Sequence, residues 1–304
     1  MMIDPRKIGV VELGSPISLE ALVAVSRYHA KVEFSQEYCQ RVTRSRRLVE
    51  KWVKEGRAIY GTNTGFGVLC ETAISEEEAE QLQLNLIRSD AASVGSPLSE
   101  EQTRAIMLMM LQNTGQGYSG IRLEVLDRLR MFLNYGLTPF VPREGSVGYL
   151  TVEANIALVL VGEGRAYWKG QLRPAKEALD AAGIMPLKFS YKEGLALLDG
   201  TTSATALGAL ALFDMQQAAC SADVVAALSV EVLRGLIRHF DPRVSVVRPH
   251  PTQKKVADNL RKILADSQVI AEAKGSHLQD ALSLRCIPQL HGAAKKLLED
   301  ARAT

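Results

Sequence analysis

The sequence has few cysteines, few aromatic residues and no excess of charge of either sign. Its 304 residues include four cysteines and 6% aromatic residues, and 36 Lys and Arg against 34 Asp and Glu give a net charge of +2. The cysteines form no C-x-x-C pair and have no histidine at metal-ligand spacing, which is typical of reduced intracellular thiols. The lack of Lys- and Arg-rich runs argues against a nucleic-acid-binding protein.

The chain also lacks a long hydrophobic run and an N-terminal secretory signal. Its start (MMIDPRKIGVVELG) contains no apolar core of a signal peptide. The most apolar stretch, residues 203–213, ends at Asp214 and is shorter than the roughly 20 residues of a membrane span. We therefore expect a cytoplasmic protein outside the membrane. The five histidines show no metal-ligand spacing, and we expect no metal site.

Apolar residues spaced by three and four positions predict a mainly α-helical fold. Two helices begin with capping boxes, one at Ser75 with Glu78 and one at Ser99 with Gln102. In a capping box, the two side chains bond backbone N–H groups that the helix leaves without partners. The remaining predicted helices lie at about residues 36–54, 120–134, 150–162, 173–181, 201–234 and 253–270.

Strand signals are confined to two short segments, residues 10–13 and 58–60. The expected architecture is therefore a bundle of long helices with a small mixed region near the N-terminus. We expect an N-terminal domain over residues 1–140, which bears a loop rich in tyrosine and glycine. A helical-bundle domain is expected over residues 141–304.

Residues 201–234 form the most apolar of the predicted helices. Between Thr201 and Val230 only Asp214 and Asp223 are charged, and apolar or small residues occupy every face. A helix without a polar face must be buried on all sides. We expect this helix at the centre of a large bundle shared between subunits. The alternative is the central helix of a monomeric bundle.

Three segments carry the residues best suited to chemistry. Residues 60–67 (YGTNTGFG) place a tyrosine and an asparagine among three glycines, in either a functional loop or a plain glycine turn. Residues 145–153 (GSVGYLTVE) form either a tight turn or a helix start whose amides could hold an anion. In residues 282–286 (LSLRC), Arg285 lies among apolar residues and requires a carboxylate, from the protein or from a substrate.

These segments resemble the motifs of the histidine/phenylalanine (aromatic amino acid) ammonia-lyase family. Residues 60–67 resemble its Tyr-Gly-x-Asn-Thr-Gly-Phe-Gly loop, and residues 193–201 (EGLALLDGT) resemble its Glu-Gly-Leu-Ala-Leu-x-Asn-Gly-Thr. Further family motifs are matched at residues 115–122, 145–148, 162–164, 248–253 and 283–286. All of these matches occur along the chain in the same order as in the family. The resemblance implies an almost all-helical tetramer with a central bundle.

The resemblance also implies a carbon–nitrogen lyase that eliminates ammonia from an α-amino acid to give a 2,3-unsaturated acid. Family members use the electrophile methylidene-imidazolone (MIO), which forms from an internal Ala-Ser-Gly. The resemblance implies that Tyr60 removes the β-proton, that Arg285 clamps the substrate carboxylate and that Asp199 takes the place of an Asn near the electrophile. Substrate-binding roles are assigned to Asn63, Gly67, Asp90, Tyr149 and Gln279.

The chain departs from the family at the MIO triad, where Tyr149, Leu150 and Thr151 replace Ala-Ser-Gly. Leu150 has no hydroxyl to eliminate, and the β-branched Thr151 resists the cyclisation. A shift of register to residues 145–147 restores a serine but not the glycine. We therefore expect no MIO and no other cofactor. Leu282 also replaces a Tyr of the family, which removes a polar group from the expected site.

Two further departures concern charge and length. Asp90 stands where many members have a His that touches the substrate, and together with Asp199 it would favour a positively charged substrate. The alternative for Asp90 is a polar residue at a helix C-terminus. Family members continue well beyond the Ser-Leu-Arg motif, whereas this sequence ends after a short helix over residues 295–304. We expect either a second polypeptide that completes the site or an incomplete site.

Two classes of function fit these observations. The first is a lyase subunit without MIO that acts on an amino acid or betaine whose nitrogen already leaves readily, since a base at the β-carbon is then sufficient. An ergothioneine-type trimethylamine lyase, or a two-chain enzyme for another activated amino-acid derivative, fits this class. The second is an inactive homologue that binds a ligand or scaffolds a full-length lyase. An ordinary ammonia-lyase, of which this is a variant or fragment, is a third possibility.

Overall fold

The structure is a computed structural model that describes residues 3–67, 74–145 and 150–304. Most of these residues lie in α-helices, and the expected mainly α-helical fold is confirmed. By the contacts between residues, the chain divides into two compact units, Met1–Leu210 and Ala211–Thr304. The longest helix, α9 (Thr202–Val232), contains the division.

The first unit combines helices with short strands. Its helices are α1 (Leu19–Tyr28), α2 (Gln36–Lys54), α3 (Glu76–Asp90), α4 (Glu100–Thr114), α5 (Leu123–Tyr135), α6 (Thr151–Leu160), α7 (Ala175–Ala182) and α8 (Glu193–Leu198). Its strands are β1 (Val10–Leu13), β2 (Lys31–Phe34), β3 (Val94–Pro97), β4 (Leu137–Pro139), β5 (Pro142–Glu144), β6 (Arg165–Trp168) and β7 (Gln171–Pro174). The first two strands pair in parallel, β3 pairs antiparallel with β5, and β4, β6 and β7 form an antiparallel sheet.

Both predicted capping boxes are present. The side chains of Ser75 and Glu78 bond each other's backbone N–H groups at the start of α3, and Ser99 and Gln102 do the same at the start of α4. These starts are encoded locally, because all the bonded groups lie within one helical turn. Side chains that are fully buried on α4 and α5 form much of the core, among them Ile106, Met107, Leu108, Leu111, Leu126, Leu129 and Phe132.

The structure corrects two local predictions. Residues 58–60 form no strand, because Ile59 donates its N–H to the side chain of Asn63 and accepts from the N–H of Thr62. The predicted helix over residues 253–270 is two helices, since the Ser267 side chain accepts from the N–H of Ile270 and caps a new helix. The other predicted helices each have a counterpart.

The division between the units also differs from the boundary expected near residue 140. Helices α6 and α8, which follow that residue, pack against α3, and α8 also packs against α4. Residues 141–210 therefore belong with the N-terminal helices. The division falls inside α9, which continues through residue 210 without a break. The amino-acid composition therefore does not change at the division, and the sequence gives no sign of it.

The second unit is built from the second part of α9 and five further helices. These are α10 (Pro242–Val247), α11 (Pro251–Ile263), α12 (Gln268–Ala273), α13 (Leu282–Arg285) and α14 (Ile287–Ala303). Helices α11 and α14 pack closely, and a Cβ on Gly292 of α14 would lie 2.6 Å from Cα of Gln253 on α11. The buried core includes Ala227, Val230, Phe240, Val256, Leu260, Ile270 and Ile287.

Helix α9 is not buried on all sides within the single chain. Met215, Val225, Leu228 and Val232 are each more than half exposed. The expectation of complete burial is therefore wrong for one chain, because these apolar side chains point away from it. By length and composition, a window within Glu193–Val232 is apolar enough to cross a membrane, which differs from the expectation that the most apolar stretch ends at residue 213 and is too short. Core helices of proteins outside membranes also meet these two criteria, so the window is weak support for a membrane span.

Candidate functional site

The Tyr60 loop, residues 57–67, follows α2. The side chain of Asn63 fastens this loop internally, because its Oδ1 accepts from the Ile59 N–H at 2.9 Å and its Nδ2 donates to the Arg57 carbonyl at 2.9 Å. Both ends of the amide are thus engaged within the loop. Substrate binding by Asn63 stays a prediction, and a role in shaping the loop is what its contacts support.

The phenol of Tyr60 lies on the outside of the loop. The residue is 55% exposed, and its ring packs edge-to-face on Phe66 with 6.1 Å between the ring centroids. The backbone N–H of Gly67 donates to the Tyr60 hydroxyl at 3.3 Å. The Tyr60 hydroxyl is therefore accessible to a ligand. Gly67, a predicted substrate-binding residue, contacts Tyr60 in the structure.

Close packing against α8 explains the first glycine of the Tyr60 loop. Gly61 has a φ of 63°, and a Cβ there would lie 2.7 Å from both Cδ2 of Leu195 and Cε1 of Phe66. Carbon atoms pack about 3.5–4.0 Å apart, so a side chain would displace the loop. Gly61 therefore allows the Tyr60 loop to reach α8, the helix that ends beside Asp199.

Gln83 on α3 secures the same contact with hydrogen bonds. The residue is fully buried, its Nε2 donates to the Gly61 carbonyl at 3.2 Å, and its Oε1 accepts from the N–H groups of Gly194 and Leu195 at 2.9 and 3.3 Å. Our sequence reasoning missed this residue. Its spacing of four positions from Ile87, which is also fully buried, was the available signal, since both lie on one helix face.

A cleft of about 370 Å³ in the first unit borders α8 and is called the α8 cleft. Its lining includes Asn113, Gln116, Ser119, Lys192, Leu195 and Asp199. Asp199, the predicted catalytic residue, is exposed at the end of α8. Burial lowers the pKa of Lys192, and the negative charge of Asp199 opposes that effect. The cleft therefore brings a predicted site residue together with a lysine that sequence reasoning did not identify.

Asp90 is the last residue of α3 and is partly buried. Burial raises the pKa of its carboxyl group. This placement agrees with both alternatives for Asp90, a polar residue at a helix C-terminus and a group that faces a ligand. Three residues later, the hydroxyl of Ser93 accepts from the side chain of Asn155 on α6 at 2.9 Å, so the chain that follows Asp90 lies against α6.

The segment expected to carry the MIO triad is described from Leu150 onward, and Tyr149 lies outside the described residues. Leu150 has a φ of 82°, which is uncommon for a residue with a side chain. Its carbonyl accepts from the Ala154 N–H at 2.8 Å at the start of α6. Thr151 is the buried first residue of that helix. Neither Leu150 nor Thr151 has the chemistry that MIO formation requires at its position.

Glu153, in the first turn of α6, is a fully buried acid that sequence reasoning also missed. Its Oε1 accepts from the Thr202 hydroxyl at 2.5 Å and from the Ser203 N–H at 2.9 Å. Its Oε2 is buried and has no hydrogen-bond partner within residues 3–67, 74–145 and 150–304. Glu153 therefore caps the start of α9, which follows Asp199 by three residues.

Two of the sequence motifs meet in a buried ion pair. Glu193 is fully buried, and its carboxylate accepts from Arg122 Nε at 2.6 Å and Nη2 at 2.8 Å. It also accepts from the Ser190 N–H at 2.7 Å, and a guanidinium nitrogen of Arg46 lies 3.6 Å away. These contacts give Arg122 and Glu193 a structural role, because the pair fixes the start of α8 and hence the α8 cleft.

Arg285 and Gln279, the remaining predicted site residues, lie in the second unit. Arg285 ends α13, and its buried Nε has no hydrogen-bond partner in the described part of the chain. Among the described residues, no carboxylate forms an ion pair with Arg285. The structure therefore does not show the protein carboxylate that most often pairs with such an arginine. Gln279 is exposed, while Asp280 beside it accepts from the Leu236 N–H and the His277 ring at 2.7 Å each.

The first unit thus brings Tyr60, Gly67 and the Asp199 helix together through Gly61 and Gln83. Arg285 and Gln279 belong to the other unit, and their meeting with Tyr60 stays a prediction. No cluster of three or more His, Cys, Asp or Glu suited to a metal ion occurs in the part of the chain that the structure describes.

The aromatic amino acid lyase family model matches residues 17–304. The chain belongs to the aromatic amino acid lyase family. The motifs that carried the resemblance therefore reflect membership of this family. Histidine ammonia-lyase from Streptococcus gordonii is 44% identical over 285 residues, which are 93% of this chain and 56% of that relative. The chain thus spans about half the length of the curated relatives it matches.

Solved structures of the family agree with this lyase fold. Phenylalanine aminomutase from Pantoea agglomerans is 34% identical, with a TM-score of 0.90 over 97% of this chain and 61% of that one. Ergothionase from Treponema denticola, an ergothioneine-degrading enzyme solved with desmethyl-ergothioneine sulfonic acid, is 29% identical. Its TM-score is 0.88 over 97% of this chain and 60% of that one.

Proposed function

We propose that this lyase homologue catalyses a β-elimination that breaks a carbon–nitrogen bond in an α-amino acid or its betaine. The Tyr60 loop is the observation on which this proposal rests. Its asparagine is engaged internally, whereas the Tyr60 hydroxyl is exposed and is oriented by the Gly67 N–H. Tyr60 is the proposed base, Arg285 the proposed clamp for the carboxylate, and Asp199 the proposed group near the leaving nitrogen.

The proposed step transfers the β-proton of the substrate to the Tyr60 phenolate. The electron pair of the broken C–H bond forms the double bond between the α- and β-carbons, and the C–N bond breaks. The nitrogen leaves with its electron pair, as trimethylamine when the substrate is a betaine. Arg285 supports this role because its Nε has no partner among the described residues, and a guanidinium binds a carboxylate in a planar, two-pronged geometry.

We propose that no MIO assists this step. Leu150 has no hydroxyl to eliminate, and the amide of Thr151 carries a β-branched residue in the first turn of α6. An intact-mass measurement tests the proposal, since it should give the mass of the unmodified sequence. A mass lowered by two water molecules, one from cyclisation and one from elimination of a side-chain hydroxyl, would contradict it.

A quaternary nitrogen removes the need for the electrophile, because trimethylamine leaves without prior activation. We therefore propose a trimethylammonium betaine of an amino acid as the substrate class. The similarity to ergothionase, which degrades ergothioneine, supports this class. The carboxylates of Asp90 and Asp199 would stabilise such a cation.

We further propose that the active form is an oligomer in which a partner polypeptide completes the site. The exposed apolar side chains of Met215, Val225, Leu228 and Val232 on α9 support burial against other subunits, since monomers rarely expose so long an apolar face. Co-purification with the product of a neighbouring gene tests the partner.

An ultraviolet assay for the unsaturated acid tests the proposed function in the chain purified with any co-encoded partner. Tyr60→Phe should lower the rate by about 100- to 10,000-fold, the usual contribution of a general base. Tyr135→Phe is the matched control, because Tyr135 is 51% exposed and belongs to no predicted site. No product from any betaine would favour the inactive binding or scaffold homologue, and a measurable rate that Tyr60→Phe leaves unchanged would contradict Tyr60 as the base.

A further inference from the structure

Lys192 adopts an uncommon backbone conformation at the edge of the α8 cleft. Its φ is 67°, in the left-handed region that residues with a side chain seldom occupy. The residue is partly buried, and its Cδ would lie 3.7 Å from a Cβ on Gly120. Strained residues persist where the surrounding structure fixes them, and they concentrate at functional sites. The segment therefore holds this lysine in the cleft at a cost in backbone energy.

Lys192 and Asp199 both line this cleft. Among the described residues, neither side chain has a hydrogen bond or an ion pair, and the two do not pair with each other. They are close enough for the charge of Asp199 to affect the pKa of Lys192. Two opposite charges that share a cleft but remain apart are complementary to a ligand that carries both charges.

The remaining lining and the size of the cleft suit a small polar molecule. Asn113, Gln116 and Ser119 add amide and hydroxyl groups to the walls, and Leu195 adds an apolar surface. The volume of about 370 Å³ lies within the usual range of small-molecule sites, about 300–1,000 Å³. Such a site can accept a carboxylate and a cation at once and still contact the carbon skeleton between them.

We propose that the α8 cleft binds a zwitterionic small molecule, an amino acid or its betaine, with its carboxylate on Lys192 and its cation on Asp199. The identity of this ligand as substrate rests on the proposed function, whereas the binding does not. If the ligand is the substrate, Lys192 is a second cation for the carboxylate that the proposed function assigns to Arg285, and sequence reasoning did not identify it. Burial lowers the pKa of Lys192, so a carboxylate that replaces lost water would stabilise its charged form.

Isothermal titration of the full chain with glycine betaine tests this proposal. Tetramethylammonium and acetate, which carry only one charge each, serve as the two halves of the ligand. Glycine betaine should bind at least about tenfold more tightly than either half. Equal binding of betaine and one half would overturn the proposal, because one of the two charges would then contribute nothing.

Four variants assign the two charges. Lys192→Met should weaken betaine binding about tenfold or more and leave tetramethylammonium binding unchanged, whereas Asp199→Asn should weaken both cations. Lys192→Asn repeats the first test with a residue that tolerates the left-handed region, and so keeps the segment folded. Lys188→Met is the control, since its side chain is 86% exposed and lies 3.8 Å from Glu80. Equal effects of the Lys192 and Lys188 variants would overturn the proposal.

The same titration separates this inference from the proposed function. Betaine binding that depends on Lys192, in a protein that releases no product, would support the cleft and contradict the lyase activity. Product release that is unaffected in kcat and KM by Lys192→Asn would contradict Lys192 as a substrate-binding residue and leave the lyase activity intact.

Discussion

The side-chain amide of Gln83 donates a hydrogen bond to the carbonyl of Gly61 at 3.2 Å, inside the first unit. The oxygen of the same amide accepts from the N–H groups of Gly194 and Leu195. One buried residue on α3 therefore holds both the loop that presents Tyr60 and the helix that ends at Asp199. The relative position of these two groups depends on Gln83.

Gln83→Leu should release both segments. The variant removes three hydrogen bonds and leaves buried groups without partners, so we expect the free energy of unfolding to fall by roughly 2–4 kcal/mol. Hydrogen exchange at the amides of Gly194 and Leu195 should accelerate, because they lose their acceptor. Gln81→Leu is the control, since Gln81 is on the same helix and its exposed side chain donates to the side chain of Asn85 on that helix. Unchanged exchange at both amides would contradict a role for Gln83 in positioning α8.

Arg104→Lys should destabilise the first unit. Arg104 is fully buried, and its guanidinium donates to the carbonyls of Val25 on α1 and Leu133 on α5 at 2.8–3.2 Å. A lysine keeps the buried charge but lacks the planar fork that reaches both carbonyls. We expect a loss of roughly 2–4 kcal/mol in urea unfolding. Arg6→Lys, at an arginine side chain that is 71% exposed, should change stability by less than about 1 kcal/mol.

Glu193→Gln should lower the free energy of unfolding, because it leaves the cations of Arg122 and Arg46 without their buried anionic partner. Removal of one member of a buried ion pair typically costs about 3–5 kcal/mol. The matched control is Glu124→Gln, since Glu124 pairs with the same Arg122 at 3.3 Å but its side chain is 52% exposed. We expect less than about 1 kcal/mol there. Similar losses in urea unfolding for both variants would contradict the importance of burial.

Asp223 should make the second unit sensitive to acid. Burial acts to raise the pKa of Asp223, but hydrogen bonds from Lys295, Asn259 and His291 outweigh it and lower the pKa below its usual value. Because the unfolded state then binds its proton at higher pH than the folded state, the stabilisation is complete above about pH 4 and is lost as the pH falls through the folded value. The stability difference between wild type and Asp223→Asn should narrow at low pH. A difference independent of pH would contradict this assignment.

Local features of the fold could be predicted from the sequence. The start of α3 follows from Ser75 and Glu78, because both partners lie within one turn. The apolar character of α9 predicted a helix without a polar face, although its exposure in one chain could not be foreseen without the fold. The strand expected at residues 58–60 failed because Asn63, four residues after Ile59, satisfies the backbone group that a strand would pair.

Features that depend on distant residues could not be predicted in the same way. Glu193 and Arg122 are separated by 71 positions, and nothing local distinguishes a buried acid from a solvated one. The opposite charges of Lys192 and Asp199 were visible in the sequence, but their shared cleft depends on residues 113–119, which comprise the end of α4 and the turn after it. Family motifs indicated which segments matter, whereas the contacts of Gln83 and Glu193 give the physical reasons.

The most direct test of the account compares one amino acid with its trimethylammonium betaine in the same ultraviolet assay. An enzyme that has a base but no electrophile should release the unsaturated acid from the betaine and none from the parent amino acid, since ammonia leaves poorly without activation. Release of the same acid from the parent amino acid at a comparable rate would contradict elimination without MIO.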